Sequence, residues 1–254
     1  MNQILVTKKL YITPELKRKK KIYKIDFILS IFLVCILTSL YIYAEYDRNK
    51  GESTSQEILE EMSKKIASNE DTTIAKDDIL LVVLDGTEDD YDSIEENTNV
   101  DISQINQQAE KKVTSSGYSY RTIATISIPK ININYPILLG ETGSVEETEA
   151  LLKMAPCKYH GGEPNEVGNF CVVGHNYRNS KFFSKVPTLV VGDIVNLTDL
   201  LGRTITYTVY DKYTVNPEDT SCTTQLTGGK KEVTVITCTD DSKQRVVLKC
   251  KEVK

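Results

Sequence analysis

The apolar positions of this chain fall into two regimes. From Ile25 to Ala44 they run almost without interruption, FILSIFLVCILTSLYIY at the heart, with Asp26 at the edge. About twenty such residues in a helix match the hydrocarbon thickness of a bilayer. The segment before it, 1–24, carries Lys8, Lys9, Lys17, Arg18, Lys19, Lys20, Lys21 and Lys24 against the single acid Glu15, whereas Glu45, Asp47, Arg48 and Lys50 follow it. That asymmetry predicts a retained anchor over 25–44 with a basic cytoplasmic segment at 1–24 and everything downstream outside the membrane. Tyr41, Tyr43 and Tyr46 suit the outer interface. A cleaved signal peptide is the competing reading, but its apolar region is usually shorter and no A-x-A site stands near Ala44.

The second regime is alternation. Ile123 to Ile128 and then Ile131 to Ile137 alternate in period two on either side of Pro129-Lys130, predicting two strands and a bend. Val145 to Met154 reads as a short helix with Ser144 as its cap and acids in its first turn. Apolar runs recur at Asn169–His175, Asp193–Leu197, Arg203–Val215, Val233–Cys238 and Arg245–Leu248, with Lys181–Ser184 expected as one helical turn and His160 as a loop residue before Gly161-Gly162. Short strands at regular spacing with few helices predict a mainly β fold, a small closed barrel over 120–254.

Between the two regimes, 45–119 is acidic. Gly51 to Ser55 reads as a breaker cluster, Gln56 to Ala67 has helical spacing at Ile58, Leu59, Met62 and Ile66, and Ile79–Leu84 is a lone apolar run whose period decides nothing. Residues 85–106 are polar enough to stay loosely ordered. The whole stretch is expected to be a stalk. Asp89, Asp90 and Asp92 lack the glycine and terminal glutamate spacing of a calcium loop.

Composition changes this picture little. A chain of 254 residues accommodates one domain of about 130 to 150 residues plus attachments. A net charge of −5 provides no global basic field, so nucleic acid is not an expected partner. Trp is absent and Phe occurs five times, leaving Val, Ile and Leu to build the core. Of the six Cys, Cys35 lies in the anchor, and Cys171 and Cys250 sit at strand positions that suit small core residues. Cys157-Lys158-Tyr159-His160 has a C-x-x-H look without the second ligand pair that structural zinc needs.

Chemistry enters at Cys238. If Val233–Cys238 pairs with the strand opening at Arg245 across Thr239–Gln244, Cys238 and Arg245 stand opposite each other with Cβ atoms about 5 Å apart. A permanent cation beside a sulfur favours thiolate and holds the oxyanion that forms when sulfur attacks a carbonyl. A buried strand cysteine beside a solvated arginine is the bland alternative. His175, one of two histidines in the chain, ends an apolar run in the same manner and offers the proton-transfer partner a cysteine nucleophile needs.

These residues carry a resemblance. Thr234-Val235-Ile236-Thr237-Cys238 resembles the T-L-x-T-C signature of sortases, cysteine transpeptidases of Gram-positive cell surfaces, with Val235 where the family usually has Leu and an Arg on the next strand. Gly174-His175-Asn176 resembles the family's G-H-N, and Phe182-Phe183-Ser184 and Gly192-Asp193 resemble elements that follow it. The resemblance covers about 122–251. It implies a sortase-type barrel in which Cys238 attacks a sorting motif near the C-terminus of a surface protein, forming a thioester. An amine of a cell-wall precursor or a pilin then resolves that thioester. It implies Cys238 as nucleophile, His175 as general acid then base, and Arg245 as oxyanion donor. Thr237 and Asn176, flanking them, either orient substrate and catalytic groups or only pair backbone. No metal or organic cofactor is required. The short 215–232 connection and Asn216-Pro217-Glu218-Asp219 look closest to class D-like members. A membrane-tethered, non-catalytic β-domain for binding or assembly is the rival reading. L,D-transpeptidases and papain-like hydrolases fit poorly, because here His precedes Cys and no glycine-rich Cys context occurs.

Overall fold

A computed structural model describes residues 14–73 and 102–253. The apolar run 79–84 and Asp89, Asp90 and Asp92 lie outside the described residues, as does the basic segment before Pro14. The chain divides into two compact units, Met1–Asn49 and Lys50–Lys254.

In the first unit, helix α1 (Pro14–Thr73) carries the apolar segment, with Phe27, Phe32, Leu37 and Tyr41 all more than half exposed. Among the described residues this is the one helix long and apolar enough to cross a membrane, and its apolar window is unburied by protein.

The rest of α1 belongs to the second unit. Gly51–Ser55 does not break the helix. A Cβ at residue 51 would stand 2.1 Å from the carbonyl oxygen of Lys153, so the glycine permits close backbone approach. About two turns on, Ile58 is buried with Tyr120, Leu138, Leu151, Leu152, Ala155 and Cys157, and Met62 is buried four residues further along the same face. Glu61 pairs with Lys65 at 3.3 Å and with Lys112. Helix α2 (Ile102–Gln108) adds the buried Ile102. The helical spacing of Ile58 and Met62 was legible; the partner surface was not.

The strands are β1 (Lys112–Val113), β2 (Ser119–Ile128), β3 (Ile133–Gly140), β4 (Cys157–His160), β5 (Gly168–Val173), β6 (Ile194–Asp199), β7 (Thr204–Val215), β8 (Lys231–Cys238) and β9 (Arg245–Glu252). They pair in the order β1-β2-β3-β4-β5-β8-β9-β7-β6, and β6 returns to β2. Eight strands therefore close a barrel, with β1 a short flange on β2. The β3–β4 and β5–β8 pairs are parallel and the others antiparallel. His160, expected in a loop, ends β4, where it pairs with Cys171. At Lys181–Ser184, expected as one helical turn, Ser184 N donates to Lys181 O at 3.2 Å and closes a single turn, in which Phe182, at φ 49°, also bridges Asn176; a 3₁₀ turn follows at Val186–Thr188, where Pro187 suits the first turn of a helix.

Ile126, Ile128, Val195, Val233, Val235 and Leu248 fill the barrel. The opposite face of β8 and β9 is covered too: Ile236, Val247 and Cys222 form a separate cluster against Val173, Tyr213 and Val215. Burial on both faces explains the continuous β-branched run, since a strand with one wet face would alternate. Helix α3 (Val145–Leu152) starts at Ser144, whose side chain accepts from Glu147 N at 3.2 Å. Burial alone would raise the Glu147 carboxyl pKa, but donors from Glu141, Thr142 and Gly143 at 2.8–3.0 Å outweigh it and hold the group ionised, fixing α3 on the end of β3.

Ile58→Ala leaves a cavity between α1 and the barrel. A loss of about 2–4 kcal/mol is expected, seen as a lowered thermal midpoint of the detergent-solubilised chain; an unchanged midpoint contradicts the docking of α1.

Candidate active site

The parallel β5–β8 pair sets the site. Val173 lies beside Ile236, and past this register Gly174 N donates to Ile236 O at 3.1 Å while Thr237 Oγ1 donates to Gly174 O at 2.8 Å. The segment leaving β5 is thus stitched to β8, with His175 the next residue. Phe183 N donates to His175 O at 3.1 Å. A Cβ on Gly174 would stand 2.4 Å from the Phe183 ring, so the glycine before the histidine answers to packing. Asn176 donates from Nδ2 to Cys238 O at 2.9 Å and to Asp240 Oδ1 at 3.0 Å. The polar groups of Thr237 and Asn176 are therefore engaged in tying the histidine segment to the cysteine segment. Of the two readings left open for these residues, the structure displays the scaffold contacts.

Across the β8–β9 hairpin, Cys238 pairs with Arg245, the register anticipated from sequence. His175, Cys238 and Arg245 line one cavity of about 270 Å³. Its floor is Val173, Ile236 and Val247; Val145, Thr148 and Glu149 of α3 form one wall and Pro217, Asp219 and Thr220 of the β7–β8 loop another.

Burial distinguishes the cysteines. Cys157, Cys171, Cys222 and Cys250 are free thiols packed inside, and burial pushes Cys171 up to about 11 and Cys250 up to about 12, away from thiolate. Cys238 is partly exposed, the state a reactive thiol needs. Arg245 Nη1 donates to Gln244 O at 3.3 Å, and among the described residues no carboxylate forms an ion pair with it. It keeps donors for an incoming anion.

The His175 side chain is one quarter exposed, its ring tilted against Tyr177 at 5.0 Å between centroids. Burial lowers its pKa below the ordinary 6.5; Glu149, with Oε2 3.9 Å from Nε2, opposes this and Lys153 reinforces it. The imidazole is accordingly neutral near pH 7.

Sequence reasoning missed the residues that hold down the β7–β8 loop. Asn169, fully buried, donates from Nδ2 to Cys222 O and Thr224 O, both at 3.0 Å. Lys249 is 7% exposed and donates to Cys222 O at 3.2 Å and Thr234 Oγ1 at 2.9 Å, with Glu232 at 3.6 Å; Thr234 in turn donates to Asn169 Oδ1 at 2.6 Å. A buried ammonium is tolerated only when paired and hydrogen-bonded, as here. The one sequence signal was Lys249 standing four residues from Arg245, on the same face of a strand. Asn169→Ala strips donors from two loop carbonyls, at an expected cost of about 2–3 kcal/mol. Limited proteolysis should then cut near the exposed Leu226 faster than in the parent chain; an unchanged cleavage rate counts against the clasp.

With this geometry in hand, the comparisons with known proteins are specific. Solved structures similar to the chain include a Clostridium perfringens sortase D5 transpeptidase, 25% identical over 60% of this chain and 87% of that one with a TM-score of 0.48. Sortase A from Corynebacterium diphtheriae is 24% identical over 64% and 73%, TM-score 0.46. Sortase C-1 from Actinomyces oris is 26% identical over 52% and 73%, TM-score 0.45. No curated protein matches the chain. The family model for the sortase domain matches residues 126–253, just over half of the chain and the greater part of the barrel, and the protein belongs to the sortase family of cysteine transpeptidases.

Proposed function

We propose that the chain is a membrane-anchored transpeptidase in which Cys238, His175 and Arg245 carry the reaction, with the N-terminus in the cytoplasm and the barrel outside. The observation that carries this reading is the convergence of the three side chains on one cavity from three separate segments. Cys238 passes its thiol proton to His175 as Sγ attacks a peptide carbonyl of a sorting motif on a surface protein. Arg245 holds the developing oxyanion with a planar pair of donors. His175 gives a proton to the departing amine as the thioester forms, then takes one from the acceptor amine of a cell-wall precursor or a pilin. The apolar floor of Val173, Ile236 and Val247 gives the donor peptide a surface to lie on. The basic residues before the apolar helix support the cytoplasmic placement of the N-terminus.

The rival, an anchored β-domain that binds without reacting, has no use for a partly exposed thiol with an arginine as its cross-strand neighbour. Mass spectrometry of the full chain incubated with a peptide library and an amine separates the two. Cys238→Ala and His175→Ala should each lower product formation by at least about 10³-fold while the fold persists. Arg245→Lys should lose on the order of 10²-fold, because a point charge replaces the fork. Near-normal turnover by the Arg245→Lys protein removes the oxyanion role.

Release of the acyl group requires unprotonated imidazole. Since burial lowers the His175 pKa, that form persists to pH values below 6.5 and is lost only as pH falls further. Single-turnover release of the acyl group to water, measured against pH with no amine acceptor present, should therefore show its acid limb below 6.5; a limb above that value contradicts the role given to His175.

A further inference from the structure

We propose that Glu149 is the positioning residue for the acyl acceptor, selecting a cationic amine over neutral nucleophiles; the inference rests on the reading of Cys238 and His175 given above. Cell-wall and side-chain amines are ammonium ions at neutral pH, with ordinary pKa values of about 8 to 10. They must approach a thioester whose oxygen already faces a cation, Arg245. An electrostatic counterweight on another wall draws the amine to the imidazole side. Glu149 has the required placement. It lies on α3, a different element from those that carry Cys238 and Arg245, and lines the same cavity. Its carboxylate stands 3.9 Å from His175 Nε2, yet its side chain is 61% exposed. It therefore reaches solvent, where the amine arrives, and the nitrogen that takes the amine's proton.

The α3 anchor makes this placement rigid. Two residues earlier, Glu147 is buried and committed to the 141–143 backbone, so neighbouring carboxylates divide the labour. Asp219 and Arg245 line the same cavity, and Lys153 also acts on His175, so Glu149 is the carboxylate set against the imidazole. The acceptor loses one proton to solvent and attacks as free amine. Its nitrogen bonds to the thioester carbon, the C–S bond breaks with its electron pair passing to Cys238 Sγ, and the second amine proton passes to His175 Nε2. Glu149 serves as counter-ion first to the ammonium and then to the imidazolium.

The test is a competition that cancels acylation. The full chain is acetylated at Cys238 with p-nitrophenyl acetate at pH 7.5 in the presence of hydroxylamine, a largely neutral nucleophile, and glycinamide, a largely cationic one. Products are counted by mass spectrometry after subtracting the Cys238→Ala background. Glu149→Gln should lower the ratio of N-acetylglycinamide to acetohydroxamate about threefold to fivefold, the size expected for one partly exposed charge pair. Glu149→Lys should lower it further, and Glu149→Asp should restore part of it. High salt should narrow the difference between the parent and Glu149→Gln. A merely structural role would slow both products together. Unchanged ratios in both Glu149→Gln and Glu149→Lys, with hydroxamate still formed, overturn the acceptor role while Cys238 keeps its own. Absence of any Cys238-dependent product from the parent chain overturns both.

Discussion

The structure depends most on the parallel pairing of β5 with β8. Parallel neighbours cannot be joined by a tight turn; the chain must leave the sheet and return. Here it leaves after β5, builds β6 and β7, and comes back as β8, so His175 and Cys238, 63 residues apart in sequence, emerge from adjacent strands. Backbone pairing as far as Val173 and Ile236 sets the register, and the bonds from Thr237 to Gly174 and from Asn176 to the carbonyl of Cys238 extend it into the loops that bear the reactive groups. A slip of one residue would turn Cys238 from the cavity face into the barrel interior.

Burial then sorts chemically similar side chains into different roles. Among the cysteines of the barrel, four are sealed inside, where desolvation opposes ionisation, and one opens onto a cavity. Among the carboxylates of α3, Glu147 is sealed against backbone donors and Glu149 is left in solvent beside His175. The buried ammonium of Lys249 is the costly exception. It sits beneath the β7–β8 loop, where the Cys222 carbonyl, the Thr234 hydroxyl and the Glu232 carboxylate surround it, and it helps hold one wall of the cavity in place. The rim of the site thus rests on a polar network that apolar packing alone would not specify.

Much of this was legible in advance. Alternation over Ile123–Ile137 and the β-branched run at Val233 revealed the barrel, and the six-residue connection from Thr239 to Gln244 aligned Cys238 with Arg245, because hairpin register follows from loop length. Other features were hidden for identifiable reasons. Gly51 resembled a chain breaker because sequence does not disclose that a second backbone, at Lys153, comes close to it. His160 resembled a loop residue because β4 is only four residues long and borrows its stability from β3 and β5. Nothing in the sequence marked Lys249 and Asn169 as buried polar groups, because what buries them is a loop more than twenty residues away in one direction and more than fifty in the other.

The sequence by itself determined the local and periodic properties: which stretches are strands, which helix is apolar enough for a bilayer, and which residue types are able to exchange protons and form a thioester. Those follow from side-chain chemistry and spacing within one element. Tertiary structure alone decided that α1 docks on the barrel, that four thiols are buried while one is reachable, that a lysine lies beneath a loop, and that a glutamate of α3 stands beside the imidazole. Each is an outcome of two distant segments excluding or admitting water together, and desolvation belongs to the pair rather than to either sequence.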